Sequence, residues 1–256
     1  MKLSLLIGIL FFSYHVAGAI PGKQLEPVAK NNQILGINPT EKLLSSWLEE
    51  SENFRWLQEK LNNDFLRLGQ SEKMVKNIFY RAHQKLFHRY QQFTLDRDAL
   101  DQGLYDCVSG SLILAALLDH FEFSYEVKET SYHVFLEVTV GESILLLEVT
   151  DPQGGFIADP VRMEQYLSEF KQEQGNKVLW EGVQNEQSFA SPEIYRTINL
   201  QNLLGLQYFN QSIRYFNEGN PLAAYQFSVT ALKYHDTERI RDFSHFLKQQ
   251  LALAVK

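Results

Sequence analysis

The sequence predicts an α+β fold in which helices flank an antiparallel sheet. Apolar residues recur at helical spacing before residue 120 and after residue 200. Between these regions, residues 121–128, 133–140 and 144–150 form three short runs of the kind expected of strands. Only Gly141, Glu142 and Ser143 separate the last two runs, which indicates a hairpin. A helix followed by an antiparallel meander is therefore the expected core.

The N-terminus has the pattern of a secretory signal peptide. Lys2 precedes an apolar run over residues 3–12, and Ala17-Gly18-Ala19 has the small residues of a signal-peptidase site. The run is shorter than the roughly 20 apolar residues that cross a bilayer. We expect cleavage after residue 19 and an exported, periplasmic or secreted protein; the alternative is an N-terminal membrane anchor. No cysteine near the cleavage point could carry a lipid.

The composition argues against nucleic acid as a partner. The formal net charge is −7, loss of Lys2 with the leader makes it more negative, and no cluster of basic residues could follow a phosphate backbone. Hydrophobic residues make up 45% of the chain, enough for a folded core. His83 and His88 are spaced so that they do not stack on one helical face. We expect no metal and no cofactor, and no stable membrane insertion after signal cleavage.

Two helical units precede the cysteine. Residues 20–70 are expected to form an N-terminal helical segment of two helices broken near Ser51 and stopped by Gly69. Ser71 can cap a long amphipathic helix that extends to about Tyr90. His83 and His88, on this helix, are expected to be surface or partly buried packing residues. The core is expected to span residues 71–190.

After the meander, the chain is expected to be helical from Pro160, then weakly extended, and helical again over residues 191–256. Gly219-Asn220-Pro221 marks a turn between two helices. Several residues stand at the offsets of a tetratricopeptide hairpin: Tyr208, Tyr215, Gly219, Ala224, Ala231 and Leu232. A plain α-helical hairpin is the alternative. Because one repeat is not stable alone, we expect this hairpin to pack on the upstream domain.

Cys107 is the only cysteine of the chain. It could be a buried hydrophobe, an intermolecular link or a free reactive thiol. Its position at a predicted helix start favours the reactive thiol, because the free N–H groups and the dipole of a helix N-terminus stabilise a thiolate and could hold an oxyanion. Asp106, the expected N-cap, opposes this by placing a negative charge beside the sulfur.

Two further residues complete a catalytic pattern. His133 starts one strand of the hairpin and could accept the thiol proton, and Asp151 ends the other and could orient the imidazole. A three-residue loop at Gly141–Ser143 would place these two side chains opposite each other. A two-residue loop would send them to opposite faces of the sheet, because side chains alternate along a strand. We expect the three-residue loop.

These stretches resemble the transglutaminase-like superfamily of papain-fold cysteine enzymes. The resemblance lies in YDCVSGS at 105–111, YHVFLE at 132–137 and EVTDPQGG at 148–155. It implies a papain-like core in which the cysteine helix packs on the sheet, with Cys107 as nucleophile, His133 as base and Asp151 as orienting group. It also implies a second oxyanion donor, for which Gln102 is a candidate, and tetratricopeptide-like C-terminal helices as in bacterial members.

Two functions are compatible with these patterns. The first is an exported cysteine enzyme that cleaves or transfers an amide or peptide acyl group through a thioester, with hydrolysis favoured because water needs no second substrate. The second is an inactive scaffold of the same fold whose C-terminal helices bind a partner protein. The charge of Asp106 beside the cysteine favours the scaffold.

Overall fold

The computed structural model describes residues 50–172 and 195–254. The expected signal peptide, the helix expected before Ser51 and the extended stretch expected before residue 190 lie outside these ranges. The helices are α1 (Glu52–Leu68), α2 (Glu72–Lys85), α3 (Asp96–Gln102), α4 (Cys107–His120), α5 (Pro160–Gln172), α6 (Leu200–Asn217), α7 (Pro221–Tyr234) and α8 (Glu238–Ala254). The strands are β1 (Arg89–Tyr90), β2 (Leu104–Tyr105), β3 (Ser124–Thr130), β4 (Val134–Val140), β5 (Ser143–Leu147), β6 (Phe156–Ile157) and β7 (Tyr195–Ile198).

The central sheet has five strands in the order β6-β5-β4-β3-β7, and all their pairings are antiparallel. The predicted α+β class is thereby confirmed. The predicted register of the β4–β5 hairpin is wrong, because Val140 pairs with Ser143 across a two-residue loop. Gly141 has φ +61°, as at the first central position of a type II′ turn, which joins strands with two residues.

The apolar helix α4 lies in the main core. Ten of its residues are buried, from Val108 to Leu118, so the helix is covered on nearly all sides. Gly110 allows its first turn to approach the end of the β4–β5 hairpin, since a Cβ there would lie 2.7 Å from a methyl of Val149. The start of α4 is therefore held against the strand ends that carry the candidate residues.

Helix α5 covers the opposite face of the sheet. A separate cluster forms there from alternate strand residues and one side of α5: Phe135, Leu146, Ile157, Met163, Tyr166, Leu167 and Phe170. Odd-numbered residues of β4 and even-numbered residues of β5 share this face, as the observed register requires. The register thus determines which side chains α5 contacts.

The C-terminal helical hairpin packs on the α+β core through α6, as expected. Leu203 and Leu206 of α6 belong to the main hydrophobic cluster. The buried side chain of Gln207 donates to the carbonyl of Thr94 at 2.6 Å, which joins α6 to the loop before α3. Helices α6 and α7 form the expected hairpin, with the fully buried Ser212 donating to the carbonyl of Ala224 at 2.6 Å.

One local expectation was wrong: helix α2 ends at Lys85 rather than near Tyr90, and Tyr90 lies in β1, which pairs in parallel with β2. His83 is a buried packing residue, in line with the second of the two alternatives expected for it. Within residues 50–172 and 195–254, no helix has the length and apolar character needed to cross a membrane.

Candidate active site

Cys107 is the first residue of α4 and is partly exposed. Asp106 is the N-cap, as predicted: its carboxylate accepts the Ser109 N–H at 2.8 Å, and the Ser109 hydroxyl accepts the Asp106 N–H at 2.9 Å. This capping box fixes the backbone on both sides of the sulfur. A partly exposed thiol at a capped helix start differs from a cysteine buried as a hydrophobe.

The Asp106 carboxylate is buried and engaged by several donors. Besides Ser109, it accepts the Thr94 N–H at 3.1 Å and the Asn210 amide at 3.3 Å. Burial raises the pKa of Asp106, although these hydrogen bonds lower it. The carboxylate that was expected to oppose a thiolate at Cys107 therefore accepts hydrogen bonds from three other residues.

His133 directly precedes β4 and is fixed by a tight turn. Its N–H donates to the Thr130 hydroxyl at 3.0 Å, and its carbonyl accepts the Thr130 N–H at 2.8 Å. The imidazole lies parallel to the ring of Phe170 from α5, with 6.0 Å between ring centroids. Turn and stacking together limit the directions in which the imidazole can point.

The acid that pairs with His133 is Glu148. Its carboxylate is bonded to Nε2 of His133 and to the hydroxyl of Tyr166 from α5. The other carboxylate oxygen accepts the Thr150 N–H at 2.8 Å and the Thr150 hydroxyl at 2.5 Å. Burial raises the pKa of Glu148, but the His133 charge and these hydrogen bonds outweigh it, so the pKa is lowered. Glu148 is thus a preorganised anion.

The charge state of His133 follows from its two neighbours. Burial lowers its pKa, but the Glu148 charge and hydrogen bonding with Cys107 and Glu148 reverse this and raise the pKa to about 10. The side chain of His133 is 19% exposed and that of Glu148 is 7% exposed. The imidazole is therefore bonded to a buried carboxylate and interacts with the Cys107 side chain, and these two neighbours favour its protonated form.

Asp151, the acid predicted from the sequence, is not the partner of His133 in the described structure. It is exposed, and its carboxylate accepts the N–H groups of Gln153 and Gly154 at 3.1 and 2.9 Å. The two-residue hairpin loop explains the difference, because it puts even-numbered residues of the β5 side on the face of His133. Asp151 instead shapes the turn that leads to β6.

Gln102, the predicted candidate for the second oxyanion donor, is exposed at the end of α3. Its amide donates to Asp98 at 3.3 Å. A different polar group interacts electrostatically with the cysteine: burial raises the pKa of Tyr90, and Cys107 and Asp106 add to the effect. Tyr90 was not among the predicted site residues, because its apolar spacing assigned it to the end of a helix.

The wall behind the site is aromatic. His83 packs against Phe79, Phe87 and Tyr105, and its two ring nitrogens have no hydrogen-bond partner within the described residues. Burial lowers the pKa of His83 to about 4, against the opposing charges of Asp151 and Glu148. This second histidine is neutral at ordinary pH, which distinguishes it from His133.

A cleft of about 210 Å³ lies beside Glu148, between the 151–155 turn and α5. Glu148, Asp151, Arg162 and Tyr166 are among the residues that line it. No group of three or more His, Cys, Asp or Glu residues that could hold a metal occurs in the part of the chain that the structure describes. Comparison with protein-family models, curated proteins and solved structures finds no match to this chain.

Proposed function

We propose that the protein is a cysteine enzyme that cleaves or transfers an amide or peptide acyl group, with Cys107 as nucleophile, His133 as acid and base, and Glu148 as the orienting acid. The observation that carries this proposal is the hydrogen bond between the His133 imidazole and the buried Glu148 carboxylate, on a ring that also interacts with the partly exposed Cys107. A histidine that only stabilised the fold would not explain why a thiol at a helix N-terminus interacts with its ring. Glu148 replaces Asp151 in the role first assigned to the latter.

In the proposed reaction, the Cys107 thiolate attacks the carbonyl carbon of the substrate, and the carbonyl oxygen becomes an oxyanion. The imidazolium of His133 then gives its proton to the leaving nitrogen, the C–N bond breaks, and a thioester remains. Water next attacks the thioester while His133 takes its proton. The carboxylic acid leaves, and the thiolate is restored. An amine in place of water would give transfer.

Glu148 supports this cycle by stabilising the imidazolium and by fixing the ring through Nε2. Nδ1 is then the nitrogen available to Cys107 and the substrate. The Cys107 N–H at the start of α4 is our candidate for one oxyanion donor, and the Tyr90 hydroxyl, which interacts electrostatically with the cysteine, is our candidate for the other.

The wider assignment also remains a proposal. A papain-like core of the transglutaminase-like superfamily, tetratricopeptide-like C-terminal helices and export through residues 1–19 rest on the sequence patterns given above. The helix bearing Cys107 packs on an antiparallel sheet, which is consistent with such a core. The inactive scaffold is the second candidate, and Asp106 beside Cys107 is the observation that favours it.

The test is to trap the acyl-enzyme. Mature protein is incubated with a panel of peptides and peptidoglycan fragments, and intact mass is measured at short times. We expect an adduct on Cys107 that hydroxylamine removes, together with released amine. Cys107→Ala should give neither, whereas Asp106→Asn should retain both. A chain that forms no adduct with any substrate class, and whose thiol is inert to alkylation unless unfolded, would support the scaffold instead.

A further inference from the structure

A second buried cluster lies behind the turn that carries His133. Its centre is Glu129, at the end of β3, whose side chain is only 1% exposed. The carboxylate is bonded to Nε of Arg196 at 2.8 Å, to Nη2 of Arg239 at 3.0 Å and to Nε2 of His235 at 2.9 Å. These partners come from β7, from α8 and from the end of α7. The cluster therefore joins the C-terminal helices to the sheet.

Arg239 differs from the other partners because it also reaches the turn itself. Its Nη1 donates to the carbonyl of Ser131 at 2.6 Å, and Ser131 lies between Thr130 and His133. The guanidinium stacks over Phe209 of α6, 5.3 Å from the ring centroid, and the side chain is 13% exposed. One planar group thus fixes a strand end, a turn and a C-terminal helix at once, which a rigid bidentate donor can do.

The charge of Arg239 interacts electrostatically with the proposed nucleophile. Burial lowers its pKa, and the charges of Glu129, Tyr132 and Cys107 oppose that effect. Two arginines face the single carboxylate of Glu129, so the cluster retains excess positive charge even with a neutral His235 ring.

We propose that Arg239 is a positioning residue of the Cys107 site, through which α8 fixes the turn at residues 130–133 and aims the imidazole of His133 at the thiol. The proposal rests on the proposed function. It makes the C-terminal helices a structural part of the active site rather than a separate attachment. Charged and titratable groups that face His133 are then Cys107 of α4, Glu148 after β5, Tyr166 of α5 and, through the turn, Arg239 of α8.

Arg196 provides a matched control within the same cluster. It shares Glu129 with Arg239, whereas the carbonyl of the turn is bonded to Arg239. Arg196→Gln removes one cation from Glu129 and leaves the contact with the Ser131 carbonyl in place. Arg239→Gln removes a cation from Glu129 and also the contact with the Ser131 carbonyl. If the cluster only stabilises the fold, the two substitutions should act alike.

The experiment measures two properties of the full mature chain and its variants. One is the rate of Cys107 alkylation by iodoacetamide from pH 5 to 9, and the other is the NMR titration of the His133 ring. Arg239→Gln should slow alkylation near pH 6 about tenfold, since small misplacement of a catalytic group has large effects. It should also move the pH profile upward and shift the His133 resonances. Arg196→Gln should change the rate less than about twofold.

Arg239→Lys covers the case in which Arg239→Gln does not fold. A lysine ammonium can bond Glu129 or Ser131 but does not reproduce the two contacts of the guanidinium. We therefore expect an intermediate alkylation rate, about threefold below the native one. Equal rates and His133 titrations in native, Arg239→Lys and Arg239→Gln protein would overturn the inference, as would equal losses in the Arg196 and Arg239 variants. A native thiol inert near pH 6 would instead contradict the proposed function, while the His133 titration would still decide the role of Arg239.

Discussion

Asp64 and Glu148 are two carboxylates that are buried to a similar extent but have different hydrogen-bond partners. The Asp64 side chain, on α1, is 3% exposed and is bonded to Arg67, to Arg81 at 2.7 Å and to the Asn77 amide at 3.0 Å. Burial raises its pKa, but the two arginines lower it below the usual range. Glu148 has a lowered pKa as well, from a histidine, a threonine and a tyrosine.

Under the proposed function, this difference separates a structural acid, Asp64, from a functional one, Glu148. Arginine does not give up its proton in proteins, so the Asp64 cluster has one charge state across the working pH range. Histidine exchanges its proton readily, and His133 also interacts with the Cys107 side chain. Burial and a shifted pKa are therefore shared by both regions, and the exchangeable partner beside a nucleophile is what distinguishes the Glu148 region.

The largest effect is expected for His133→Gln. Without the imidazolium, the Cys107 thiolate loses its counter-ion and the leaving group loses its proton donor. We expect alkylation near pH 6 and any amide turnover to fall about 100-fold or more. Stopped-flow alkylation and a peptide-release assay measure this. His245→Gln, on the exposed side of α8, is the matched control and should behave as the native chain.

Glu148→Gln should have the next largest effect. The variant keeps the shape of the side chain but removes the charge that stabilises the imidazolium, so alkylation near pH 6 should fall about 30-fold. Asp151→Asn should reduce it less than about twofold, because Asp151 bonds only backbone N–H groups of its own turn among the described residues. A larger fall in the alkylation rate of Asp151→Asn would indicate that Asp151, rather than Glu148, orients the imidazole.

Asp64→Asn should affect stability alone. It leaves two arginines without their shared acid, and we expect the free energy of unfolding to fall by about 2 kcal/mol, less than for a fully buried pair because Arg67 is largely exposed. Urea denaturation gives this value. The alkylation rate of the folded variant should be native, and a change in that rate would remove the distinction between the two regions.

The smallest effect concerns pH and stability. A raised His133 pKa stabilises the folded state fully below about pH 6.5, and this contribution is lost as pH rises toward about 10. A lowered Glu148 pKa contributes above about pH 4.5 and is lost in acid. The stability difference between native protein and Glu148→Gln should therefore be greatest at about pH 5.5 and smaller at about pH 9. A stability difference that grows with pH would contradict the claim that His133 and Glu148 form a charged pair.

Local signals in the sequence predicted half of the candidate site. The Asp106 cap and the apolar run after it locate Cys107 at a helix start, because capping is a short-range property. His133 follows from the start of an alternating run. The loop length was mispredicted by one residue, and this is why Asp151 rather than Glu148 was expected beside His133. Gly141 and Glu142 form the whole loop, and one residue of register moves every side chain to the other face.

The remaining parts of the site depend on contacts far apart in the chain. The ring of Phe170 and the hydroxyl of Tyr166 reach the His133–Glu148 pair only because α5 folds back over the sheet. Arg239 reaches Ser131 only because α8 packs beside it. A single sequence indicates the helical character of α5 and α8 but not the surfaces against which they pack, since helix periodicity carries no information about the partner.

The pH dependence of Cys107 alkylation in the native chain tests the central claim most directly. If His133 and Glu148 hold the sulfur as a thiolate, the second-order rate with iodoacetamide should already be near its plateau at about pH 6 and should fall only in stronger acid. A rate that is negligible at about pH 6 and rises only above about pH 8, as for a free cysteine, would contradict the account.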